Sequence, residues 1–482
     1  GVSLSELMEN AGKASFEVII DKIIPSLLNF NNRITVLCGP GNNGGDGFVI
    51  AKKLIEKNFD VKVCSPFNKT YFNSIALEKL EMSDFDLLEA SQDLFKNSDL
   101  IIDALFGIGL NRDIDKKLID LIDLINKEKN YVVSIDIPSG LETDTGEKKP
   151  NSINANHTIT FQSPKPCHFL LPGKINTGEL SVVDIGVPKK IFKEVKKSSN
   201  IFLNTSDLWK NHFPWPKEYD HKYSRGHLLV QSGDQFSTGA SRLASLSALR
   251  IGAGIVTLAS SDEAALINAS HLTSVMIKNI NNISDFINFS KNRKVTSLLI
   301  GPGCGVTDYT KKLSLNIIEL GLPAVLDADA LSVFKDDPDE LFSCIKKYNN
   351  NVILTPHEGE FNRIFKDTKG SKLSVTRDAA KESGATIIYK GNDSVISNPE
   401  GLLAISDRSS PFLATAGSGD VLAGICAGLL SQGMDSFLAA CAGQWFHKKI
   451  GEIPRPGMIA DDMPGMIENF LPTVLGEIYE KS

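Results

Sequence analysis

Two glycine-rich loops near opposite ends of the chain have the residue types and spacing to bind anions. The first loop reads Gly-Pro-Gly-Asn-Asn-Gly-Gly-Asp-Gly over residues 39–47, and the second reads Ala-Gly-Ser-Gly-Asp over residues 416–420. Each loop follows an apolar or extended stretch and runs into a helical pattern, so each can direct backbone N–H groups at a phosphate. The sequence therefore predicts two nucleotide sites of different chemistry.

The first loop matches a dinucleotide fingerprint only in part. Gly39, Gly41 and Gly44 satisfy G-x-G-x-x-G between a predicted strand and a predicted helix. The next predicted strand ends in Cys-Ser-Pro at 64–66 and lacks the acidic residue that would bind a ribose hydroxyl, which argues against a standard NAD dehydrogenase. An alternative interpretation is a tight strand-to-helix turn with capping asparagines.

Two aspartates follow apolar runs in the same half of the chain. Asp103 and Asp136 end predicted strands, and the carboxyl ends of parallel strands line the ligand crevice, so both can converge with Asn43. A cluster of hard oxygen atoms suits a cation such as potassium or magnesium. Alternatively, each aspartate caps the turn that follows it.

The second loop places Asp420 at a predicted helix N-terminus beside several backbone N–H groups. In kinase-type chemistry, such N–H groups stabilise the transferring phosphoryl group and the carboxylate accepts a proton from the attacking hydroxyl. The alternative is an aspartate that only caps its helix. Polar or glycine-rich loops also end four successive predicted strands, at residues 301–305, 327–331, 355–360 and 390–394. Taken alone, His357 indicates a structural histidine and Lys390 a solvated surface charge.

The elements that must position these loops alternate between strands and helices, which is typical of parallel α/β folds. In the first half the pattern predicts a helix at 46–57, and it predicts strands at 34–38, 61–65, 100–104 and 132–137, with 158–162 and 180–185 extending or covering the sheet edge. In the second half it predicts helices at 239–251 and 420–431, and strands at 227–231, 255–259, 297–300, 324–327, 352–355 and 385–389. Ala240, Ala244 and Ala248 repeat every four positions, which indicates close helix packing.

Length and composition indicate a two-domain globular protein. A chain of 482 residues exceeds what one core usually supports, and a lysine- and serine-rich stretch at 189–200 breaks the pattern, so we predict two α/β domains, 1–203 and 204–482. A net charge of −7 argues against nucleic acid or an anionic membrane as the main partner. No apolar run approaches the ~18 residues that span a bilayer, and the first residues do not resemble a signal peptide. Seven cysteines without a CxxC pair fit a reducing cytoplasm.

Four ordered motifs in the first 203 residues, at 7–12, 39–47, 103–109 and 136–140, resemble the NAD(P)H-hydrate epimerase domain. The resemblance implies a Rossmann-like α/β/α sandwich in which Asp136 is the acid/base that interconverts the R and S hydrates. It implies a potassium site made by Asn43, Asp103 and Ser139. The hydrate-binding residues that it implies are Asn42, Asn43, Gly44, Gly45, Asp46, Gly107, Ile108, Gly109, Leu110, Asn111, Arg112, Asp113 and Asp136.

The motifs of residues 204–482, together with 222–227 and 239–254, resemble the ADP-dependent (S)-NAD(P)H-hydrate dehydratase domain of the ribokinase-like superfamily. The resemblance implies a ribokinase-like α/β fold with Asp420 as the catalytic base, and it implies magnesium, because phosphoryl transfer needs charge neutralisation. The implied hydrate contacts are Ala240, Gly303, His357 and Asp420. The implied ADP contacts are Lys390, Gly391, Asn392, Asp393, Ser394 and Gly419.

Together the two resemblances predict a cytoplasmic, homo-oligomeric enzyme that repairs the hydrates of NADH and NADPH and converts ADP to AMP and phosphate. One alternative is a small-molecule kinase, of the sugar or hydroxymethylpyrimidine type, with an accessory N-terminal nucleotide-binding domain. A second alternative is a nucleotide-binding or protein-interaction module whose epimerase-like half has lost activity. Asn43, Asp103, Asp136 and Ser139 argue against that loss. The sequence assigns no basic residue to a 2′-phosphate, so the preference between the two hydrates stays open.

Overall fold

Apolar runs and helices alternate along the chain and form two units, each with its own sheet. The computed structural model describes residues 2–109, 114–348, 351–366, 369–407 and 410–479. The two units are Gly1–Ser199 and Asn200–Ser482. The predicted boundary after residue 203 lies just beyond this division, because strand Ile201–Leu203 pairs with the second sheet. Two α/β units are the fold class that the sequence predicts.

The first unit is a parallel sheet with helices. Its strands are β1 (Arg33–Cys38), β2 (Asp60–Ser65), β3 (Leu87–Glu89), β4 (Leu100–Ala104), β5 (Tyr131–Ile135), β6 (His157–Phe161) and β7 (Glu179–Val183). Its helices are α1 (Leu4–Val18), α2 (Asn42–Glu56), α3 (Ser74–Glu81), α4 (Gln92–Lys96), α5 (Lys116–Lys127), α6 (Gly173–Thr177) and α7 (Lys189–Ser198). The strand order is β3-β2-β1-β4-β5-β6-β7, and neighbouring strands are parallel.

From β1, the chain adds β2 and β3 on one side of the sheet and then β4 to β7 on the other side. In open α/β sheets, a ligand crevice forms where the direction of strand addition reverses, here between β1 and β4. The loop after β1 enters α2 directly, so α2 begins at Asn42 and not at the predicted position 46. Gly44 permits this early start, because a Cβ atom there would lie 1.8 Å from the carbonyl oxygen of Gly39. The asparagines of the glycine loop therefore form the first turn of a helix.

The second unit is a mixed sheet with helices. Its strands are β8 (Ile201–Leu203), β9 (His227–Gln231), β10 (Ile255–Ser260), β11 (Met276–Asn279), β12 (Ser297–Ile300), β13 (Ala324–Leu326), β14 (Val352–Leu354), β15 (Thr386–Tyr389), β16 (Val395–Ser397) and β17 (Leu403–Ile405). Its helices are α8 (Thr238–Arg250), α9 (Asp262–His271), α10 (Ile283–Asn292), α11 (Asp308–Glu319), α12 (Asp329–Ser332), α13 (Pro338–Tyr348), α14 (Glu358–Ile364), α15 (Lys372–Ser383), α16 (Ser418–Ser431), α17 (Ser436–Glu452), α18 (Met463–Met466) and α19 (Leu471–Tyr479).

The second sheet has the strand order β11-β10-β9-β12-β13-β14-β15-β16-β17-β8. The strands from β11 to β15 are parallel, whereas β16 runs antiparallel to both of its neighbours. The direction of strand addition reverses between β9 and β12, which marks a second crevice.

Helix α16 is buried against α8 through small residues. A Cβ atom on Gly424 would lie 2.2 Å from the carbonyl oxygen of Ala244, and one on Gly428 would lie 2.8 Å from the Cα atom of Ala248. The alanine repeat of α8 is therefore a packing surface, as its spacing predicts. This contact fixes the helix whose first turn contains Asp420.

The sequence pattern predicts the central strands to within a few residues and misses β3, β8, β11, β16 and β17. Four of these strands have only three residues, and β3 and β11 are mostly exposed. A short or exposed strand depends on its neighbour in the sheet and not on a long apolar run.

Candidate active sites

A cavity of about 790 Å³ lies at the β1/β4 crevice of the first unit. Residues 40–43 after β1 and residues 105–109 after β4 form two of its walls, and α1 contributes Leu4, Leu7, Met8 and Ala11. We call this space the hydrate cavity, after the ligand that the family resemblance predicts for it. Its position at the carboxyl edge of the sheet is the one predicted for the first ligand site.

Asn43, Gly107 and Asp136 meet in the hydrate cavity. A Cβ atom on Gly107 would lie 3.3 Å from the Cβ atom of Asn43 and 3.4 Å from Oδ2 of Asp136. Asn43 is 7% exposed, and both polar atoms of its side chain lack a hydrogen-bond partner in the protein. A buried amide without partners is costly, so these atoms are suited to bind a ligand.

Asp136 is paired with a lysine that the sequence analysis did not select. Nζ of Lys165 forms a salt bridge with Oδ1 of Asp136 and donates a hydrogen bond of 2.7 Å to Oγ1 of Thr160. Oγ1 of Thr160 also donates to Oδ1 of Asp136 at 3.1 Å. Asp136 directly follows β5, and Lys165 lies in the loop after β6. The position of Lys165 just beyond a predicted strand is the signal that could have identified it.

The backbone of Asp136 is held in an unusual conformation, with φ at +67°. The Asp136 N–H donates to the carbonyl oxygen of Ile159, and Nε2 of His168 lies 3.0 Å from the Asp136 carbonyl oxygen. Burial, and then the charge of Lys165, lowers the pKa of His168 to about 4, so this ring is neutral and Nε2 donates the bond. Left-handed conformations of this kind persist where the surrounding structure enforces them, often at functional sites.

Asp46 adds a second carboxyl group to the wall of the hydrate cavity. Burial, and secondarily the charge of Asp136, raises the pKa of Asp46 well above its usual value. The Asp46 carboxyl group therefore holds its proton more firmly than an exposed aspartate does.

Asp103 and Ser139 lie beneath the hydrate cavity and do not line it. The Asp103 carboxylate accepts hydrogen bonds from the hydroxyl groups of Ser134 and Ser139 and from the N–H groups of Ser139 and Leu105. The Ser139 hydroxyl also accepts from the N–H of Phe106. The pKa of Asp103 is raised by burial, against the effect of these bonds. The network ties the ends of β4 and β5 together.

The other predicted epimerase residues fall into three groups: residues on the cavity wall, residues packed within the protein, and residues outside the described ranges. Asn42, Ile108 and Gly109 line the hydrate cavity, whereas Gly44 and Gly45 pack against the protein, Gly45 against Met8. Four predicted contacts, Leu110, Asn111, Arg112 and Asp113, lie outside the described residues.

A cavity of about 430 Å³ lies at the carboxyl edge of the second sheet, and we call it the nucleotide cavity. Among the predicted residues, it is lined by His357, Lys390, Gly391, Asn392, Ser394 and Gly419. Asp393 does not line it; the Asp393 carboxylate pairs with Nζ of Lys372 at 2.7 Å.

Asp420 is half-buried in the first turn of α16, near other acidic groups, and is not among the residues that line the nucleotide cavity. Burial, and then the charge of Asp327, raises the pKa of Asp420 to about 7, and the positive charge of Lys390 opposes the shift. Nζ of Lys390 lies 2.9 Å from Oδ1 of Asp327 and 3.8 Å from Oε2 of Glu360. Burial lowers the pKa of Lys390, but the charges of Asp327 and Glu360 raise it overall. The carboxyl group of Asp420 can therefore accept and release a proton near neutral pH.

Lys390 also approaches the glycine loop. A Cβ atom on Gly419 would lie 3.4 Å from Nζ of Lys390, so the ammonium group lies beside the N-terminus of α16. An ammonium group and helical N–H groups at one place form an anion site.

His357 has a structural role as well as a position on the cavity wall. Its Nδ1 accepts hydrogen bonds from the N–H groups of Gly359 and Glu360, and the Glu360 carboxylate accepts from the His357 N–H. This capping box begins α14. Ala240 and Gly303, the other predicted hydrate contacts, lie next to each other: a Cβ atom on Gly303 would lie 3.5 Å from the Cβ atom of Ala240.

Two buried polar side chains on the wall of the nucleotide cavity were not predicted from the sequence. Nε2 of His447 lies 3.0 Å from the Ser418 carbonyl oxygen, which only accepts, so Nε2 donates and Nδ1 remains an acceptor without a partner in the protein. Burial lowers the pKa of His447 to about 4. Oε1 of Gln444 also lacks a partner. Both residues lie on one face of the apolar helix α17. Two polar residues at i, i+3 spacing within an apolar helix are the sequence signal that could have identified them.

The described ranges lack two kinds of feature. They contain no group of three or more His, Cys, Asp or Glu side chains arranged to hold a metal ion. They also contain no helix with the length and apolar character needed to cross a bilayer.

Two family models match the chain. The model described as YjeF-related protein N-terminus matches residues 4–167. The model described as NAD(P)H-hydrate dehydratase matches residues 228–458. A solved ADP/ATP-dependent NAD(P)H-hydrate dehydratase from Bacillus subtilis, co-crystallised with ATP/Mg²⁺, has a TM-score of 0.48 and 22% identity, and the match covers 58% of this chain and 99% of that chain.

Full-length relatives match both units. A bifunctional NAD(P)H-hydrate repair enzyme from Moorella thermoacetica is 33% identical over 98% of this chain and 93% of that protein. Enzymes of the same name from Coxiella burnetii and Escherichia coli are 32% and 30% identical, over 93% and 100% of this chain and 90% and 92% of those proteins. At this identity and coverage, the chain belongs to the family of bifunctional NAD(P)H-hydrate repair enzymes.

Proposed function

We propose that this chain repairs the hydrates of NADH and NADPH. The first unit interconverts their R and S forms, and the second unit dehydrates the S form with ADP. The observation that carries the proposal is a carboxyl group near a lysine at the carboxyl edge of each sheet. Asp136 forms a salt bridge with Lys165. Asp420 lies in the first turn of α16, beside which Nζ of Lys390 is held by Asp327 and Glu360. The full-length relatives favour repair over the alternative of a small-molecule kinase.

In the first unit, the Asp136–Lys165 pair exchanges a proton with the hydroxyl group on C6 of the reduced ring. Proton donation lets the hydroxyl leave as water, because the lone pair of the ring nitrogen stabilises the cation that remains. Water then adds to the other face of C6 and returns the proton to the pair. The side-chain N–H₂ group of Asn43 offers a donor to the bound hydrate, and the mostly apolar wall from α1 limits the access of other water.

In the second unit, Asp420 takes the proton from the C6 hydroxyl of the S hydrate, and the hydroxyl oxygen attacks the β-phosphate of ADP. The bond to AMP breaks and leaves a phosphate ester on C6. Loss of that phosphate together with a proton from C5 restores the double bond of NAD(P)H. Lys390 and the first N–H groups of α16 stabilise the phosphoryl group during transfer. His357 and Asn392 lie, like Lys390, on the wall of the nucleotide cavity.

ADP is proposed for the nucleotide cavity. The two acceptors without partners, Nδ1 of His447 and Oε1 of Gln444, require donors, and an adenine amine is one. Magnesium is proposed to enter with the phosphates, because it is usually held by one or two carboxylates together with substrate phosphates. Bound magnesium supplies positive charge for phosphoryl transfer.

Potassium is proposed for the first unit with Asn43 as its direct ligand. Oδ1 of Asn43 is a buried acceptor without a partner, which suits a cation. The Asp103 carboxylate already accepts four hydrogen bonds, as many as its lone pairs readily allow, so Asp103 and Ser139 are proposed to hold the surrounding loops in place. When bound, potassium adds positive charge beside the hydrate.

A cytoplasmic location and a homo-oligomeric state are also proposed. All seven cysteines are free thiols, which supports a reducing compartment. Light scattering of the purified chain tests the oligomeric state.

The experiment that tests the function supplies a mixture of R and S hydrates and follows the absorbance of regenerated NAD(P)H. With ADP, magnesium and potassium, the protein should consume both forms. Asp136→Asn should stop repair once the S form is consumed, whereas Asp420→Asn should stop repair and leave R/S exchange intact. Consumption of both hydrates by Asp136→Asn, or repair by Asp420→Asn, would remove that residue from its role.

A further inference from the structure

A second cavity in the second unit, of about 230 Å³, has no role in the chemistry described above. We call it the distal cavity; its walls include Gln231, Ser232, Gly233, Asp234 and Asn281. Gln231 ends β9 and the next three residues follow it, whereas Asn281 follows β11. Ile300 at the end of β12 and Cys304 in the next loop also line the cavity. The distal cavity therefore lies at the β9/β12 crevice, where open α/β sheets bind ligands.

The distal cavity borders the predicted hydrate contacts. A Cβ atom on Gly233 would lie 2.2 Å from the carbonyl oxygen of Gly303. Gly303 in turn lies against Ala240. The distal and nucleotide cavities have no wall residue in common. A long substrate whose reacting ring lies at Gly303 can therefore extend into the distal cavity while ADP occupies the nucleotide cavity.

The wall of the distal cavity contains a buried acceptor that lacks a donor. Gln231 is 8% exposed, and its Nε2 donates a hydrogen bond of 2.9 Å to the carbonyl oxygen of Ser232. A carbonyl oxygen can only accept, so this bond fixes the orientation of the amide. Oε1 of Gln231 then has no partner in the protein. Leaving it unpaired is costly, so the site favours a ligand that presents an N–H donor.

The remaining wall selects against phosphate. Ile280, Ile300 and Leu313 provide apolar surface suited to a flat ring, and no lysine, arginine or histidine is among the described wall residues. The one charged wall residue is Asp234, whose carboxylate favours ribose hydroxyl groups and repels a 2′-phosphate. The chemistry of the wall fits an uncharged nucleoside with an amine on its base.

We propose that the distal cavity binds the adenosine half of NADH hydrate and that Oε1 of Gln231 accepts a hydrogen bond from the adenine amine. This inference rests on the proposed dehydratase function and adds a second binding subsite for its substrate. It also predicts the substrate preference that the sequence leaves open. The protein should have a higher kcat/KM for NADH hydrate than for NADPH hydrate, because Asp234 repels the 2′-phosphate.

The test compares kcat/KM for the S hydrates of three compounds: NADH, its hypoxanthine analogue without the amine, and reduced nicotinamide mononucleotide without the adenosine half. The wild-type protein should prefer NADH hydrate about tenfold over the hypoxanthine analogue, the effect of one buried hydrogen bond. In Gln231→Met this preference should disappear, because the acceptor is gone and the side chain keeps its size. The loss should appear in KM for the hydrate, with KM for ADP unchanged.

A second variant blocks the cavity without touching the buried amide. Asn281→Trp at the exposed rim should lower kcat/KM for NADH hydrate at least tenfold and should affect the mononucleotide hydrate at most twofold. Asn279→Trp is the matched control, since Asn279 is exposed on β11 and lies outside the cavity wall. Asp234→Asn should lower the ratio of kcat/KM for NADH hydrate to kcat/KM for NADPH hydrate, because it removes the negative charge.

The outcomes separate the two proposals. Absence of ADP-dependent repair with every hydrate would overturn the proposed function itself. Equal kcat/KM for the three hydrates in an active wild-type protein would overturn the subsite alone. A higher KM for ADP in Gln231→Met would assign the cavity to the nucleotide, and equal losses on all three hydrates would indicate structural damage; either result contradicts the inference.

Discussion

The titration of Asp420 predicts how the rate of dehydration changes with pH. Its pKa is raised to about 7 by burial and by the charge of Asp327, so close to one-tenth of the group is carboxylate at about pH 6 and nine-tenths at about pH 8. Because the carboxylate form accepts the proton, kcat/KM for dehydration of the S hydrate should rise about tenfold across this range. Asp420→Asn removes the base and should lower the rate roughly 10²–10⁴-fold at every pH.

The assay measures kcat/KM for purified S hydrate at saturating ADP and magnesium, by the absorbance of regenerated NADH. ADP itself titrates near this range, and a second variant separates the two groups. The charge of Lys390 lowers the pKa of Asp420, so Lys390→Met should move the midpoint to higher pH in addition to lowering the rate. The pH dependence of ADP binding, measured by calorimetry for both proteins, separates any titration of the bound phosphate from that of Asp420. A flat profile in the wild-type protein, or an unmoved midpoint in Lys390→Met, would refute the assignment of the base.

The same shift predicts a stability change with a definite sign. The folded protein retains a proton on Asp420 up to about pH 7, whereas the unfolded chain releases it near the usual value of 3.8. The folded state therefore binds more protons between these values, and the free energy of unfolding falls as pH rises through this window. Asp420→Asn should remove that decrease, so thermal melts should show the variant gaining stability relative to wild type at pH 8 compared with pH 4.

Two further predictions concern one residue in each unit. Lys165→Met should lower the R/S exchange rate roughly 10²–10⁴-fold by removing the partner of Asp136, with dehydration of pure S hydrate unchanged. Lys149→Met, which breaks the partly exposed pair with Glu142, should leave exchange intact; equal loss in both variants would contradict the role of Lys165. Gly424→Ala should destabilise the second unit by about 1–3 kcal/mol in urea unfolding, because the added Cβ atom would lie 2.2 Å from the backbone of Ala244. Gly465→Ala has open space and should change stability little, and a Gly424→Ala variant as stable as this control would contradict the packing model.

Much of the fold could be predicted from sequence because its signals are local. The buried runs of β1, β4 and β9 are long enough to specify central strands, and the alanine repeat of α8 specifies a close helix contact. The edge strands β3 and β11 could not be found in this way, since their exposed residues form a strand only beside a neighbour. The start of α2 at Asn42 depended on a tight contact between Gly44 and Gly39.

The sequence by itself determined the residue types that can do the chemistry: the two glycine loops, Asp136, Asp420 and the ordered motifs of each family resemblance. Only the tertiary structure decided which partners complete them. Lys165 and Gln231 are distant in the chain from the motifs they adjoin, and crossover connections bring strand ends together without regard to their separation in sequence. The raised pKa of Asp420 likewise depends on burial and on charges from other strands, because desolvation and Coulomb interactions act through space.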